Sequence, residues 1–128
     1  MEKSSIKVLL CNKNNIFRNS LGSLINDYSE NISVIHSVEK FKDLIPILDN
    51  EKIDYLIIRL DRYLEKPSKF IPWFIQKYPN TKLIIMSFSN DISYKNKLLE
   101  LGIYYYYETG TNIEDLINSI KSNTKINS

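Results

Sequence analysis

The fold is decided by the stretch from residue 53 to residue 86, which begins Ile53-Asp54-Tyr55-Leu56-Ile57-Ile58 and ends Lys82-Leu83-Ile84-Ile85-Met86. Both ends of this stretch are nearly continuous in apolar and β-branched residues. Runs of this kind are typical of strands in a parallel sheet that helices cover on both faces. The stretch therefore predicts two buried strands with a helix between them.

The rest of the chain alternates short apolar segments with amphipathic ones. Three more strands are predicted at Ile6–Cys11, Ile32–His36 and Ile103–Tyr107, with the inner strands at Tyr55–Ile58 and Leu83–Met86. Helical spacing in the intervening segments places apolar residues at Ile16, Leu21, Leu24, Ile25 and Tyr28, at Phe41, Leu44, Ile45 and Leu48, at Ile92, Leu98 and Leu99, and at Ile113, Leu116, Ile117 and Ile120. This order predicts a three-layer, doubly wound α/β fold: a five-stranded parallel sheet with right-handed crossovers and helices on both faces.

Three local signals refine the helices. Pro46 lies inside the second helical pattern and predicts a kink or a late start there. Pro72 is expected early in the third helix, where the first turn tolerates proline. Thr111-Asn112-Ile113-Glu114 has the form of a capping box and predicts a helix start.

Composition sets the class of protein. The 128 residues fit one domain, predicted at 1–121, with a polar tail or the start of a linker at 122–128. A net charge of +2 is too small to indicate nucleic-acid binding by itself. No apolar run approaches a membrane span and no secretory signal is visible. We therefore expect a cytoplasmic protein without membrane contact.

Metal and cofactor sites are not expected from the residue counts. The single cysteine, Cys11, excludes an internal disulfide and a multi-cysteine metal site, and its apolar surroundings predict core packing. The three glycines, Gly22, Gly102 and Gly110, are too few and too scattered for a phosphate-binding loop. This argues against a flavodoxin-like cofactor protein, and no cofactor is predicted.

Several segments together resemble the receiver domain of bacterial response regulators, over about residues 5 to 121. Ile6–Leu10 followed by Asn14–Leu21 resembles the start of receivers that carry helix-turn-helix output domains. The other matching segments are Ile53–Ile58, Tyr78–Ser87, Leu101–Ile103 with Tyr106, and Asn112–Leu116. The resemblance implies a sheet in the order 2-1-3-4-5.

The resemblance also implies a phosphorylation site, which this sequence lacks in most of its parts. The family has an acidic pair after the first strand, an acceptor aspartate ending the third, a hydroxyl after the fourth and a lysine after the fifth. These positions fall on Asn12 and Lys13, Arg59, Ser87 and Thr109, and only Ser87 fits. Carboxylates are needed to hold Mg²⁺ and to attack phosphorus. The sequence therefore resembles a degenerate pseudo-receiver, which is neither an enzyme nor a metal-binding protein.

Three interpretations of the altered site remain open. Arg59 could form an ion pair with Asp61, Glu108 or Asp91 and fix the surrounding loops. The five matched residues could instead hold a small anion, such as a phosphate or a carboxylate metabolite. Finally, Asp61 could act as a phosphoryl acceptor in an active receiver, although the metal would have too few ligands.

Two further features concern switching and assembly. Ser87 and Tyr106 resemble the hydroxyl–aromatic switch pair of the family, in which the ring turns inward on activation. In the run Tyr104-Tyr105-Tyr106-Tyr107, alternate rings face opposite sides of an edge strand. Tyr105 and Tyr107 are predicted to contribute to a homodimer face formed by the fourth helix, fifth strand and fifth helix, which commonly dimerises in the family. The alternative is that the tyrosines shield the sheet edge and bond to their own helices.

The leading functional hypothesis is a non-catalytic, phosphorylation-independent signalling domain that acts through protein contacts. It would be the dimerising N-terminal part of a transcription regulator, or a single-domain adaptor with a protein partner. DNA binding would require an output domain that these residues do not contain.

Overall fold

The computed structural model describes residues 5–28, 30–60, 66–88 and 90–126. The strands are β1 Ile6–Cys11, β2 Ile32–Val38, β3 Tyr55–Arg59, β4 Lys82–Ser87 and β5 Tyr105–Glu108. The helices are α1 Asn15–Tyr28, α2 Leu44–Asn50, α3 Pro67–Lys77, α4 Ile92–Leu101 and α5 Ile113–Ile126, and a short 3₁₀ turn, Phe41–Asp43, precedes α2.

The strands form one parallel sheet in the order β2-β1-β3-β4-β5. This confirms the predicted fold class and strand order. The central strands β1, β3 and β4 are the most buried, because each has a neighbouring strand on both sides and helices above and below.

Alternation along the strands divides the core into two layers. One layer packs β-strand side chains against α1 and α5, and its helix residues are Leu21, Ile25, Leu116, Ile117 and Ile120. The other packs the opposite face of the sheet against α2, α3 and α4, with Leu44, Leu48, Phe70, Ile71, Phe74 and Leu98. Burial of large aliphatic and aromatic side chains contributes roughly 1.5–3 kcal/mol each, so these layers supply most of the driving force for folding.

The two prolines behave differently. The segment before Pro46 forms the 3₁₀ turn, and α2 begins only at Leu44, which agrees with the predicted late start. The prediction for Pro72 is wrong, because α3 begins at Pro67 and Pro72 lies inside the helix. Pro72 is exposed, so the backbone group that it leaves without a helical partner can bond to water.

Five apolar residues assigned to helix stripes are exposed, namely Ile16, Leu24, Tyr28, Ile92 and Leu99, and two of them are exposed almost completely. Ile16 is 78% exposed and Ile92 is 70% exposed, although the sequence pattern placed both on buried faces. The buried line of α1 runs through Leu21 and Ile25, and Ile16 lies about 140° from Leu21 around the helix, so it faces outward. Ile92 is the first residue of α4, before the turn that reaches the sheet through Leu98.

Helix ends follow local side-chain chemistry. Asp91 caps α4, its carboxylate accepting from the amides of Ser93 and Tyr94 at 2.9 and 3.3 Å. At α5 the cap is Asn112, whose Oδ1 accepts from the Glu114 amide at 2.9 Å. The predicted cap, Thr111, instead donates its hydroxyl to a backbone carbonyl. The capping residue is therefore Asn112, one position later than predicted.

The carboxyl-terminal segment extends the last helix. α5 continues to Ile126, so residues 122–126, predicted as a tail, have helical backbone. The boundary of the domain at residue 121 stays a prediction. Within the described ranges, no helix has the length and apolar character needed to cross a membrane.

Candidate functional site at the carboxyl edge of the sheet

The matched residues meet at one edge of the sheet. Cys11 is paired with Ile58, so Asn12 and Arg59, the next residue of each chain segment, lie side by side where β1 and β3 end. Ser87 ends β4, opposite Glu108 of β5. Ligands of open α/β sheets bind at this edge, outside the carboxyl ends of the strands.

Asn12 is the one buried polar residue of the described core, at 4% exposure. Its backbone amide donates to the Val38 carbonyl at 3.1 Å, and its Oδ1 accepts from the Asn14 amide at 2.8 Å. Asn14, the residue before α1, in turn accepts from the Phe17 amide in the first turn of that helix. Asn12 therefore organises the turn from β1 into α1, a structural role that an aspartate could also fill. The following residue, Lys13, is exposed.

Arg18 holds this turn in place and was not predicted as a site residue. Its guanidinium donates to the Asn12 carbonyl at 2.8 Å, to Ser37 Oγ at 3.1 Å and to Asn15 Oδ1 at 2.9 Å. The side chain thus joins the ends of β1 and β2 to the start of α1. One feature of the sequence could have indicated this role. A cation in the first turns of a helix is opposed by the helix dipole, so it is expected there only with a specific partner.

Arg59 ends β3 with an exposed side chain. Its guanidinium carbon lies 4.4 Å from the ring centroid of Phe88, in a cation–π contact that links β3 to the loop after β4. Phe88 is 62% exposed and was not singled out in the sequence, because the contact depends on how the two strand ends approach each other. The pair places a cation and an aromatic ring where the family has its acceptor aspartate.

Three acidic residues were predicted as possible partners of Arg59, and they differ in outcome. Within the described ranges, no ion pair joins Arg59 to Glu108. Asp91 caps α4, as described above. Asp61 lies outside the described residues, so both the ion pair to it and its use as an acceptor stay predictions.

Thr109 and Ser87 are joined to each other. The Thr109 amide and hydroxyl both donate to the Ser87 carbonyl, at 2.8 and 3.1 Å. Threonine at this position provides no cation, whereas the family has a lysine there. The hydroxyl of Thr109 also has its proton committed to a backbone carbonyl, which leaves it less suited to donate to an anion.

The residues at this edge do not fit a divalent cation. Mg²⁺ prefers oxygen ligands that include carboxylates. At the matched positions the chain has a buried amide, two cationic side chains and two hydroxyls. Among the residues that the structure describes, no three histidine, cysteine, aspartate or glutamate side chains form a group that could hold a metal ion.

Tyr106 is in the inward position. Its ring is 5% exposed in the core layer of α2, α3 and α4, and it meets the Tyr94 ring of α4 edge-on, with centroids 6.3 Å apart and planes at 76°. The burial fixes the orientation of the ring relative to α4. Tyr106 therefore has the orientation that the resemblance associates with an activated receiver.

The neighbouring tyrosines face the opposite layer. Tyr105 is half-buried, whereas Tyr107 is only 6% exposed and belongs to the core layer that also contains residues of α1 and α5. Burial raises the pKa of both hydroxyls, and the charge of Asp115 raises that of Tyr105 further. The prediction that Tyr107 contributes to a dimer face is corrected, since its ring is covered by helices.

Tyr104 contributes to the same layer from the position before β5. Its hydroxyl donates to the Ser119 carbonyl in α5, and its ring meets the Tyr55 ring at 5.5 Å. Tyr55 also donates to α5, at the Ile120 carbonyl, at 3.3 Å. These tyrosines therefore attach α5 to the sheet, as the shielding interpretation predicted for part of the run.

Comparison by sequence identifies no relatives: no family model matches the chain, and neither does any curated protein. Comparison with solved structures, in contrast, finds similar proteins. A LuxR-family DNA-binding response regulator from Staphylococcus aureus superposes with a TM-score of 0.77 at 15% identity, over 91% of this chain and 97% of that one. The isolated REC domain of RcsB from Salmonella enterica serovar Typhimurium, solved with phosphomimetic BeF₃⁻, gives 0.82 at 18% identity, over 95% and 90%.

A third similar structure is a receiver domain protein of the CheY-like kind. The CheY-like response regulator receiver domain protein from Methanospirillum hungatei JF-1 has a TM-score of 0.74 at 13% identity, and the match covers 94% of both chains. Identities this low carry information on the fold, and the agreement spans nearly the whole chain. The chain therefore has the α/β fold of response regulator receiver domains.

Proposed function

We propose that this chain is a non-catalytic receiver-like signalling domain that works without phosphorylation, through contacts with other proteins. The observation that supports this most strongly is Arg59 at the carboxyl end of β3, stacked on Phe88. A guanidinium has no oxygen that can attack phosphorus, and it carries a positive charge where an acceptor would need a negative one.

The electrostatics of the edge supports the same proposal. Two like charges about 4 Å apart repel by about 4 kcal/mol at an effective dielectric constant near 20, and a divalent cation doubles that term. Lys13 and Arg59 would therefore oppose metal binding at the edge unless nearby carboxylates compensated their charge. Without the metal, the charge that develops on a transferring phosphoryl group is not neutralised.

The inward Tyr106 supports a domain that is held in one state. Its ring is buried against Tyr94, so turning it outward would expose aromatic surface and break this contact. A protein partner that prefers one arrangement of α4 could still shift the equilibrium. We propose that such a partner, rather than a phosphoryl group, is the input.

We propose homodimerisation through the face formed by α4, β5 and α5. On α4, Ile92 is 70% exposed and Leu99 is 39% exposed, seven residues further along the same side. Lys95 is exposed between them, and Asp115 is exposed in the first turn of α5. A two-fold arrangement would bring the basic helix of each protomer to the acidic helix turn of its partner.

We further propose that this domain is part of a transcription regulator. The similar Staphylococcus aureus protein is described as DNA-binding, and the start of this sequence resembles receivers with helix-turn-helix outputs. In such an architecture this domain would supply dimerisation, and a separate domain would contact DNA.

Phosphoryl acceptance is tested by incubating the protein with acetyl phosphate and Mg²⁺ and measuring its intact mass. The proposal expects no mass increase for the wild type. A phosphoryl adduct that disappears in Asp61→Asn would instead establish the active receiver. A receiver domain of known phosphoryl acceptance serves as the positive control in the same tube.

A second candidate is sensing of a small anion, favoured by the exposed guanidinium of Arg59. Thermal unfolding in the presence of phosphate, nucleotides or small carboxylates tests it. Stabilisation that is lost in Arg59→Ala and kept in Lys95→Ala would support a site at the sheet edge. Equal stabilisation of all three proteins would indicate non-specific ion effects.

The dimer face is tested by sedimentation over a wide dilution series. Leu99→Asp introduces a charge into the centre of the proposed face and should weaken the dimer by at least about tenfold. Tyr105→Ala should weaken it as well. A wild-type chain that stays monomeric at every concentration would contradict homodimerisation.

A further inference from the structure

One side of α3 exposes a tryptophan between two lysines. Lys69, Trp73 and Lys77 are all exposed and are spaced four residues apart, so they are neighbours along the helix surface. Trp73 is 39% exposed and is the only tryptophan of the chain. Lys77 lies over the ring of Tyr78, with its Nζ 5.7 Å from the ring centroid. Exposed indole rings are enriched at the centres of protein interfaces, which makes this row a candidate contact surface.

The turn before α2 borders this row and adds two cations. The ring centroid of Phe41 lies 6.2 Å from that of Trp73. Phe41 is flanked in the chain by Lys40 and Lys42, and both of these lysines are exposed. We call the Trp73 patch the surface formed by Lys40, Phe41, Lys42, Lys69, Trp73 and Lys77. It has two aromatic rings at its centre and four lysines around them.

The acidic residues near the Trp73 patch leave it with a positive charge. The carboxylate of Asp49 accepts from the Tyr78 hydroxyl at 2.8 Å. Burial, with a smaller contribution from the charge of Asp43, raises the pKa of Cys11, so the Asp43 carboxylate lies toward the end of β1. Glu39 is exposed, and if it neutralised one lysine of the patch, three would remain. Within the described ranges, none of the four lysines forms an ion pair.

The start of α3 is also cationic. Lys66 precedes the helix, Lys69 lies in its first turn, and that turn contains no acidic residue. The amino-terminal end of a helix dipole is positive, so two cations at this end disfavour the folded helix. An anionic partner beside them would offset this cost. The charges of α3 are therefore better suited to an acidic partner than to the isolated helix.

We propose that the Trp73 patch binds an acidic segment of a partner protein. A large apolar side chain of that segment would pack on the indole of Trp73, and its carboxylates would meet the surrounding lysines. The centroid of the indole lies 6.0 Å from that of Phe70 and 6.2 Å from that of Tyr78, so neighbouring rings fix it before binding. A side chain that is already ordered loses little entropy in a complex. An aromatic centre with a charged rim is the usual arrangement of a protein interface.

The same observations disfavour other occupants. Two copies of a patch with one sign of charge would repel each other, which excludes a two-fold contact through it. Single-stranded nucleic acid binds aromatic platforms that are open to stacking, whereas three rings already pack around the indole of Trp73. The net charge of the chain is also only +2. An acidic protein segment fits both the ring and the lysines.

This inference names a partner class for the proposed protein-contact function and in that sense rests on it. The two can nevertheless fail separately, because one is tested by phosphoryl transfer and the other by peptide binding. A chain that accepts a phosphoryl group and still binds an acidic segment at the Trp73 patch would contradict the proposed function alone. A chain that does neither would contradict this inference alone.

Fluorescence anisotropy of a labelled peptide tests the inference on the full chain. The probe is a fluorescein-labelled peptide with a central phenylalanine that is flanked on both sides by glutamates. We expect saturable binding with a Kd below about 1 mM at low ionic strength, weakening as salt is added. The same peptide with glutamines in place of the glutamates should bind at least about tenfold more weakly.

Three variants locate the binding surface. Lys69→Glu reverses one exposed charge of the Trp73 patch and should weaken binding by about tenfold. Trp73→Ala removes the apolar centre and should weaken it by at least about tenfold. The matched control is Lys121→Glu, the same change of charge at an exposed position of α5 on the other side of the sheet, which should change binding by less than about twofold. Far-UV circular dichroism of each variant checks folding, and the exposed position of Lys69 keeps the test valid if Trp73→Ala unfolds the chain.

Two sets of results would overturn the inference. One is the absence of binding to the glutamate peptide, or an equal loss of binding in Lys69→Glu and Lys121→Glu. The other is tighter binding of the wild type to a single-stranded oligothymidylate or to phosphatidylglycerol vesicles than to the peptide. Either of these ligands would then be the better occupant of the patch.

Discussion

Replacing Arg18 by alanine should destabilise the domain far more than its half-exposed position suggests. The guanidinium donates to the Asn12 carbonyl at 2.8 Å, to Asn15 Oδ1 at 2.9 Å and to Ser37 Oγ at 3.1 Å. The bond to Asn12 is partly buried and has a charged donor, so we assign it about 1.5 kcal/mol. The other two are exposed and contribute about 0.5 kcal/mol each. We therefore expect Arg18→Ala to lower the free energy of unfolding by about 2.5 kcal/mol.

Urea unfolding followed by the fluorescence of Trp73, the only tryptophan, measures this change. Trp73 lies against Phe41, Phe70 and Tyr78, so its emission should report the loss of tertiary structure. The matched control is Lys95→Ala, which removes an exposed cation from α4 and should change stability by less than about 0.5 kcal/mol.

Arg18→Lys separates charge from geometry. Lysine keeps the positive charge, but its single ammonium cannot reach three acceptors in different directions, so about half of the loss should remain. A loss for Arg18→Ala within about 0.5 kcal/mol of the control would refute the reasoning. It would mean that the turn from β1 into α1 is held by Asn12 and Asn14 alone.

Three further predictions concern the core, the turns and a helix cap. Burial raises the pKa of Cys11 from its ordinary 9.0 to about 11. Because the fold favours the neutral thiol, the free energy of unfolding should fall between pH 9 and pH 11 by about 2 kcal/mol more in the wild type than in Cys11→Ala, where only the buried tyrosines contribute to the fall. Gly102→Ala places a Cβ 2.6 Å from the terminal Cδ1 of Ile75 at φ +114°, whereas Gly110→Ala at φ +94° meets nothing within 4 Å. Because both positions share the backbone strain and the Ile75 methyl group can move, we expect each variant to lose about 1 kcal/mol in urea unfolding, and a loss at Gly102 larger by more than about 1 kcal/mol would show that Ile75 is held rigidly. Asn112→Ala should lower the free energy of unfolding by about 1 kcal/mol, because it removes the cap of α5. An unchanged midpoint of thermal unfolding would indicate that Thr111 caps the helix instead.

The fold was predictable because its signal is local and repeated. Segments such as Tyr55–Ile58 and Leu83–Met86 are apolar without alternation, and only a sheet covered on both faces buries them fully. Proline positions were harder to interpret. The helix that contains Pro72 begins at Pro67, and no periodic apolar residue marks that start.

The composition of the candidate site was predictable, whereas its contacts were not. Strand register alone brings Asn12 and Arg59 together, so matching positions along the sequence was sufficient. Arg18 and Phe88 enter the site through contacts between different elements. Such contacts depend on side-chain directions that hydrophobic spacing does not encode.

The tyrosine run shows the same limit. Alternation along a strand correctly separated Tyr106 from Tyr105 and Tyr107. It could not tell which face is covered, because coverage depends on where α5 packs. α5 lies over the face of Tyr107, which is buried as a result.

Binding of Mn²⁺, a paramagnetic substitute for Mg²⁺, tests the central claim most directly. In a two-dimensional NMR spectrum of the wild type, we expect Mn²⁺ to leave the amide signals of Asn12, Arg59 and Thr109 unbroadened. The variant Asn12→Asp, Lys13→Asp, Arg59→Asp restores three carboxylates and should show broadening confined to the sheet edge. Selective broadening of these signals in the wild type would contradict the account, because the cationic edge would then bind a divalent cation.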